Sequence, residues 1–442
     1  MTTVAFHTLG CKVNQYDTQA MRELFLAAGY AEVSFEEPAD IYVLNTCTVT
    51  GTGDRKSLQL ARRIRREHPA ARLILCGCLA QKKGAELQRE TGADLVLGTQ
   101  RRGEVVTLLQ RVIREGIPLC DVSPFPAGAP FERLSVSGIS DHTRATVKIQ
   151  EGCDNRCTYC VIPSVRGPIR SRSVADLESE VLRLRDAGFR EIVLTGIHLA
   201  SYGKEEPAGR LTLMDAVRAV HAVEGISRIR LGSLEPVVAT EAFCEALRDL
   251  PKVCPQFHLA LQSGSDAVLA RMKRRYNTSQ YLRAADRLRA VYPHAAFTTD
   301  VMTGFPGETD AEFRETCDFV ERMGYARIHV FPFSPREGTP AADMPGALPP
   351  AVREQRAREL IAIGNRVARR YLESWLGKTA ELLPEERVNG CWEGYTPEYI
   401  RVRLSPTARC QSGIPLSVRF TGFIPGGLSA EPAEEPLFPE TP

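Results

Sequence analysis

The sequence has no apolar run approaching the roughly 18 residues that a membrane-spanning helix requires, and no opening stretch that reads as a secretory signal. These absences lead to the expectation of a cytoplasmic protein with no membrane contact. Net charge is also nearly absent: 56 Lys and Arg stand against 54 Asp and Glu, a formal +2. No global field therefore pulls the chain onto nucleic acid, and any such binding must come from local patches. Short repeats and long low-complexity segments are missing, which excludes solenoid and fibrous classes. Cysteine is not scarce, with 13 in 442 residues. In a reducing compartment disulfides are rare, so these thiols serve metal or core. A chain of this length is expected to form about three domains.

The densest chemistry is Cys153-Asp154-Asn155-Arg156-Cys157-Thr158-Tyr159-Cys160, three thiols spaced C-x3-C-x2-C after an alternating apolar run, Ala145 to Ile149, that reads as a strand. Iron–sulfur clusters are held by Cys thiolates, and a four-iron cluster takes four ligands. Three ligands from one short loop leave one iron open to a substrate or second cofactor. Zinc is the competing reading, but zinc sites mostly use paired C-x2-C units with a fourth Cys or His. His142 is the only close candidate, and it precedes the strand.

Residues 1–120 alternate strand and helix: strands at Val4–Leu9, Ile41–Leu44, Arg72–Leu75 and Leu95–Leu97, helices at Gln15–Ala28, Asp54–Glu67 and Glu104–Arg114. The pattern predicts a doubly wound parallel sheet. Cys11, Cys47 and Cys78 each follow one of the first three strands, where ligands bind in such sheets. Three thiols at successive strand ends point to a second cluster; buried core cysteines are the plain alternative. Cys76, inside a strand, reads as a small buried hydrophobe.

The C-x3-C-x2-C loop resembles the signature of radical S-adenosylmethionine (SAM) enzymes. Joined to an N-terminal three-cysteine α/β domain, it resembles the methylthiotransferases over nearly the whole chain. The stretch Phe6-His7-Thr8-Leu9-Gly10-Cys11-Lys12-Val13-Asn14-Gln15-Tyr16-Asp17-Thr18 is similar to the branch acting on threonylcarbamoyladenosine in tRNA; the isopentenyladenosine branch has Gln-Met, and the ribosomal-protein branch Pro-Lys, before the Asn. The resemblance implies two [4Fe-4S] clusters, one on Cys153, Cys157 and Cys160 that binds SAM through its open iron, and one on Cys11, Cys47 and Cys78 that participates in delivering sulfur. It also implies that reductive cleavage of SAM yields a 5′-deoxyadenosyl radical that takes hydrogen from carbon 2 of the target adenine, and that a second SAM supplies the methyl group. The implied partners are a tRNA anticodon stem-loop carrying N6-threonylcarbamoyladenosine at position 37, an electron donor such as flavodoxin or ferredoxin, and a sulfur source.

From Ala145 the alternation resumes about six times, with strands at Ala145–Ile149, Ile192–Leu194, Arg228–Gly232, His258–Leu261, Phe297–Met302 and Ile328–Phe333. This count fits a partial (βα)6 barrel. If SAM is bound, the strand-end residues Tyr159, Thr195, Gly196, Ser233, Glu235, Gln262 and Asp300 are candidate contacts, although each motif alone is also what a tight turn needs. Gly304-Phe305-Pro306-Gly307-Glu308 follows the fifth strand. Ala260 departs from the family, where a Pro is usual two residues before Gln262. Arg166, Arg170, Arg172, Arg271, Lys273, Arg274 and Arg275 are expected to rim the barrel mouth and contact RNA. The helix with Arg55, Lys56, Arg62, Arg63, Arg65 and Arg66 offers a second basic patch. No conventional catalytic dyad is needed.

Beyond a long helix, Arg353–Trp375, the pattern turns to strands at Thr379–Leu383, Tyr399–Leu404 and Leu416–Phe420. Gly394-Tyr395-Thr396-Pro397-Glu398-Tyr399 resembles the family's RNA-binding TRAM β-barrel. From Tyr371 onward six Lys and Arg face ten Asp and Glu, a net of −4, which does not favour RNA. Tyr395 and Tyr399 either stack on bases or pack the small core, and the acidic, Pro-rich terminus reads as disordered. The expected domains are 1–125, 139–372 and 375–442, with Ser123 to Pro130 as linker. The alternatives are a sister enzyme acting on isopentenyladenosine tRNA or ribosomal protein S12, and a non-catalytic iron–sulfur carrier or scaffold.

Overall fold

Strand Ile41–Thr46 is buried at every position, as a strand covered by helices on both faces must be. In the computed structural model, which describes residues 1–126, 128–137, 143–206, 209 and 211–433, this strand is central to a six-stranded, wholly parallel sheet. The strands are β1 (Thr3–Thr8), β2 (Ala31–Glu32), β3 (Ile41–Thr46), β4 (Arg72–Gly77), β5 (Leu95–Leu97) and β6 (Leu119–Asp121), ordered β2-β1-β3-β4-β5-β6. Helices Lys12–Ala27 and Val105–Glu115 cover one face, Gly51–Glu67 and Cys78–Lys83 the other. Chain direction across the sheet reverses between β1 and β3, so the crevice at their carboxyl ends is the expected ligand position. Cys11 and Cys47 lie there. Cys76 is fully buried inside β4, a core residue as its position implied.

The second unit comprises β7 (Arg144–Glu151), β8 (Arg170–Ser171), β9 (Glu191–Gly196), β10 (Arg228–Leu231), β11 (Ser233–Leu234), β12 (Gln256–Leu259), β13 (Ala296–Thr303) and β14 (Arg327–Pro332). Two four-stranded sheets, β10-β9-β7-β8 and β11-β12-β13-β14, share the continuous stretch Arg228–Leu234, so six parallel strand positions follow one another as a partial barrel. β8 alone is antiparallel, at one edge. The period of two sorts side chains between faces. Val147, Ile149, Ile192, Leu194, Ile229, Leu231, Phe257 and Phe297 join the large core beneath the helices. Lys148, Gln150, Glu191, Thr195, Arg230, His258 and Asp300 alternate with them and give the barrel a polar inner face.

Helix Pro350–Glu373 packs against β14 and leads to a closed barrel of β15 (Thr379–Val388), β16 (Cys391–Tyr395), β17 (Arg401–Leu404), β18 (Leu416–Ile424) and β19 (Gly427–Pro432). β16 and β19 were not legible as strands. β17 begins two residues later than expected because Tyr399 adopts φ 67°, left-handed backbone that ends extended structure. This barrel packs against the N-terminal parts of β7 and β10. Arg228 reaches Glu381 at 2.6 Å, Arg230 donates to the Pro397 carbonyl at 2.9 Å, and Arg144 pairs with Glu385 at 2.6 Å. Tyr395 and Tyr399 stack at 4.6 Å; Arg144 lies over the first ring and Arg230 over the second. The two tyrosines, half-buried, pack against each other and these arginines and not within the small core. Among its described residues Ser123 to Pro130 contains no strand or helix. His142, the opening residues of the expected 139–372 domain, and Glu434, Glu435 and Glu440 of the acidic terminus lie outside the described residues.

Candidate active site between two cysteine sets

The first set is assembled by two asparagines. Asn14 Nδ2 donates to the Leu9 carbonyl at 2.7 Å and the Thr46 carbonyl at 3.0 Å, tying together the residues just before Cys11 and Cys47. Asn45 Nδ2 donates back to the Asn14 carbonyl at 3.0 Å. Thr46 Oγ1 accepts from the Ala80 amide at 3.2 Å, linking the Cys47 turn to the helix that starts at Cys78. Gly10, at φ 102°, brings the chain against Cys47: a Cβ there would lie 2.9 Å from the Cys47 sulfur. A side chain at position 10 would thus occupy space beside the thiol.

The second set stands on the loop after β7. Cys153 and Cys157 are 9% exposed, and Cys160 is half-buried. Arg166 Nε donates to Cys78 Sγ at 3.2 Å, and an Arg274 guanidinium nitrogen to Cys157 Sγ at 3.2 Å. Two of the six sulfurs thus receive a guanidinium N–H donor, one in each set. Burial pushes the Cys78 and Cys153 thiols up to about 11 and Cys160 to about 12, and at Cys78 the Arg166 guanidinium offsets this only in part. Buried thiols with donors aimed at sulfur need a cation to become thiolates. This donor set fits iron–sulfur ligation. Among the described residues no three His, Cys, Asp or Glu side chains are already closed around a metal position.

One short helix, Ile162–Arg166, joins the sets. It begins two residues after Cys160, and its Val165, with Ile162 and the preceding Val161, packs on Cys78. Arg166 is fully buried. It bonds Asn14 Oδ1, Asp17 at 3.0 Å and Glu151 at 3.1 Å. Asp17 also binds Arg102 and Lys148, and Glu151 pairs with Lys148 at 3.1 Å and Arg102 at 3.2 Å. Burial alone would raise the Asp17 and Glu151 carboxyls; the surrounding Arg102, Lys148 and Arg166 hold both below the ordinary carboxylate range. Buried charge survives only when paired in this way.

These contacts correct the expected rim. Arg166, Arg170 and Arg172 are at most 6% exposed, so they do not present a surface to RNA. Arg172 pairs with Asp176 at 2.6 Å and with Glu180. Arg274 is held by Glu235 at 2.6 Å, and Arg271 by Glu312 at 2.9 Å. Lys273 and Arg275 remain exposed. On the basic helix Arg65 turns inward to Asp94 at 2.6 Å, while Arg55, Lys56, Arg62 and Arg66 stay exposed. Partners distant in sequence decide which arginines are interior.

The strand-end candidates occupy the same mouth. Glu235 is the hub, bonded to Arg274, to Asn155 at 3.3 Å and to His198 Nε2 at 3.0 Å. Despite burial, His198 and Arg274 hold the Glu235 carboxyl down at about 2, so it is a charged group at neutral pH. Sequence reasoning missed His198; its position directly after Thr195-Gly196-Ile197 at a strand end was the available signal. Ser233 is exposed and opens β11, two residues after β10 ends. Gln262 stands at φ 68°, its backbone bonded to Asp300 and Met302, and Asp300 faces His258 at 3.5 Å. Ala260 keeps Gln262 in register because its N–H donates to the Leu234 carbonyl at 2.9 Å, a bond proline lacks. Tyr159 packs beside Met272, Met302 and Phe305. Gly196 is required by β7 itself, since a Cβ would lie 2.8 Å from Gln150 Cβ.

Two family models match the chain: residues 147–320 match the radical SAM superfamily, and residues 3–98 match uncharacterized protein family UPF0004. The threonylcarbamoyladenosine tRNA methylthiotransferase MtaB of Bacillus subtilis is 41% identical, covering 91% of this chain and 90% of that relative. The chain belongs to the radical SAM methylthiotransferase family. A tRNA-2-methylthio-N(6)-dimethylallyladenosine synthase from Corynebacterium urealyticum is 35% identical over 87% of this chain and 72% of its own length. The radical SAM methyltransferase TsrM of Kitasatospora setae has the same fold, with a TM-score of 0.58, 16% identity and 77% of each chain covered. Membership of the superfamily implies SAM and a [4Fe-4S] cluster for this methylthiotransferase. Among the described residues no helix is long and apolar enough to cross a membrane.

Proposed function

We propose that this chain is a tRNA methylthiotransferase that places a methylthio group on carbon 2 of N6-threonylcarbamoyladenosine beside the anticodon. One observation carries the reading: two three-cysteine sets meet at a single short helix in a chain 41% identical to a threonylcarbamoyladenosine tRNA methylthiotransferase. Cys153, Cys157 and Cys160 would hold the cluster that binds SAM, and Cys11, Cys47 and Cys78 a second [4Fe-4S] cluster. When bound, these groups supply one-electron cleavage of an inert C–H bond, the sulfur, and the methyl group.

The protein's part is binding, orientation and electrostatics. Arg274 and Arg166 neutralise thiolate charge from within, each fixed by carboxylates. Glu235 is a charged acceptor at the mouth, suited to an ammonium or a ribose hydroxyl. Thr195, Gly196, Ser233, Gln262 and Asp300 supply the neighbouring strand ends, and Tyr159 an aromatic wall. The exposed Arg55, Lys56, Arg62, Arg66, Lys273 and Arg275 are cations available to phosphates. The reaction takes place in the cytoplasm and draws on a one-electron donor such as flavodoxin or ferredoxin and on a sulfur source.

The dimethylallyladenosine relative supplies a second reading, the same chemistry on a neutral side arm. Expression in a bacterium whose tRNA carries threonylcarbamoyladenosine but no methylthio derivative tests the choice. Mass spectrometry of its digested tRNA is expected to show the methylthio nucleoside with the intact chain and none with Cys47→Ala or Cys157→Ala. A methylthio product on dimethylallyladenosine alone would keep the chemistry and replace the substrate.

A further inference from the structure

The chain that follows β14 crosses from one cysteine set to the other. Ser334 Oγ accepts from the Gly51 amide at 3.2 Å. Arg336, 5% exposed, sets one nitrogen, Nη2, on Thr48 Oγ1 at 2.8 Å and on the Asp54 carboxylate. Thr48 is fully buried and directly follows Cys47. Gly51 leaves room for these contacts, since a Cβ there would lie 3.1 Å from Ser334 Oγ and 3.4 Å from Arg336 Nη1. Further along the same stretch, the Ala341 amide donates to the Thr158 carbonyl at 2.8 Å. Thr158 is fully buried and directly follows Cys157. Its amide and hydroxyl are tied to the carbonyls of Met272 at 3.2 Å and Arg271 at 3.0 Å.

The crossing is short and bonded along its length. From Arg336 to Ala341 the chain could reach at most about 18 Å if extended, and it is folded back instead. The Thr339 amide and hydroxyl both bond the Arg336 carbonyl, at 3.0 and 2.6 Å, and Pro340–Ala342 is a helical turn. Ala341 is wholly buried in an apolar cluster with Met272, Phe305 and Phe333, against which Tyr159 of the cysteine loop packs. The helix Ile162–Arg166 connects the sets through Cys78. The Arg336 crossing connects them a second time, through the residues next to Cys47 and Cys157.

We propose that Arg336 is a positioning residue: through Thr48 and Asp54 it fixes the Cys47 turn relative to the loop 153–160, and so couples hydrogen removal at carbon 2 to sulfur insertion there. The inference rests on the function proposed above. Hydrogen removal needs SAM and substrate in place at one cysteine set. Bonding sulfur to the same carbon needs the other set correctly placed as well. A displacement of about 1 Å can cost about a hundredfold in rate. Loosening the Arg336 contacts therefore separates the two steps instead of stopping both.

The test uses the full chain with Arg336→Met, Arg336→Lys and Thr48→Val. After anaerobic reconstitution, iron is counted and SAM, dithionite, sulfide and tRNA bearing threonylcarbamoyladenosine are added. Mass spectrometry quantifies 5′-deoxyadenosine and the methylthio nucleoside together. Arg336→Met should keep its iron and its 5′-deoxyadenosine, while methylthio product per 5′-deoxyadenosine falls about tenfold or more. Nη2 alone makes both contacts, so the point charge of a lysine can replace it, and Arg336→Lys should recover most of the ratio. Thr48→Val, which leaves the Asp54 contact, should lower the ratio less than Arg336→Met. Hydrogen exchange of the full chain before reconstitution reads the placement without the reaction. Amides of residues 47–54 should exchange faster in Arg336→Met, and those of β7 at an unchanged rate. An unaltered ratio or unaltered exchange overturns the proposal. So does an equal fall of both products, loss of about half the iron, or a lysine variant no better than the methionine one. If the intact chain forms 5′-deoxyadenosine and no methylthio nucleoside, the function proposed above fails, and the exchange result decides by itself whether Arg336 holds the Cys47 turn.

Discussion

Replacing Asp17 by Asn should be among the most damaging changes of a single atom type in this chain. Asp17 is 1% exposed and accepts from Arg102, Lys148 and Arg166, which come from three separate segments. Asparagine keeps the shape but removes the charge, leaving three cations to Glu151 and the partly exposed Glu132. Removing one partner of a buried pair costs about 3–5 kcal/mol. For a cooperative unit of 150–250 residues each kcal/mol shifts Tm by roughly 2–4 °C, so Asp17→Asn should lower the first thermal transition by roughly 6–20 °C. Scanning calorimetry measures it. The double variant Asp17→Asn, Lys148→Met should recover part of the loss, because it restores the balance of charge. Asp17 is held below its ordinary value, so its contribution is complete above the unfolded value near 4 and disappears as pH falls through the lower folded value. The variant's stability should therefore fall less steeply below pH 4 than that of the intact chain. A shift under 2 °C, or an unchanged acid slope, would refute the account of Asp17 as the charge centre joining the two units.

Other outcomes separate interior from surface arginines. Arg62→Ala with Arg66→Ala should lower the slope of log affinity for tRNA against log salt by about 1 for each phosphate that the removed guanidinium had neutralised, measured by filter binding, with no change in thermal stability. Arg65→Ala should do the opposite, because Arg65 holds Asp94: a stability loss of roughly 1–3 kcal/mol in denaturant titration and an unchanged salt slope. Tyr399→Ala removes the ring facing Arg230 and stacked on Tyr395, so limited proteolysis should release the C-terminal barrel faster, with cuts near Gly377. Cys11→Ser should halve bound iron, from about eight atoms to about four per chain, measured by colorimetric iron assay after reconstitution.

The positions of the cysteines were legible: three on one short loop, and three others after successive strands. The parallel sheet, the partial barrel and the C-terminal β-unit followed from periodicity. The arginines were not legible. Arg166 and Arg274 look in sequence like a basic rim, but their carboxylates come from Asp17, Glu151 and Glu235, far away along the chain or on another strand. A partial signal existed in β7, where Lys148 and Gln150 alternate with Val147 and Ile149, marking a polar inner face. The short strands β16 and β19 escaped because neither has clean alternation, and Gly394 and Gly427 are needed where neighbouring backbone comes within about 2 Å of a would-be Cβ.

The central claim is a methylthio transfer to threonylcarbamoyladenosine in tRNA. The most direct measurement combines anaerobically reconstituted full chain, SAM, dithionite, sulfide and an equimolar mixture of tRNAs bearing threonylcarbamoyladenosine and dimethylallyladenosine, with ribosomal protein S12 in a parallel reaction. Nucleosides and peptides are then read by mass spectrometry. The account predicts 2-methylthio-N6-threonylcarbamoyladenosine as the dominant product, dependent on both cysteine sets. Product only on dimethylallyladenosine or on S12, or intact SAM with every substrate unchanged, would contradict it.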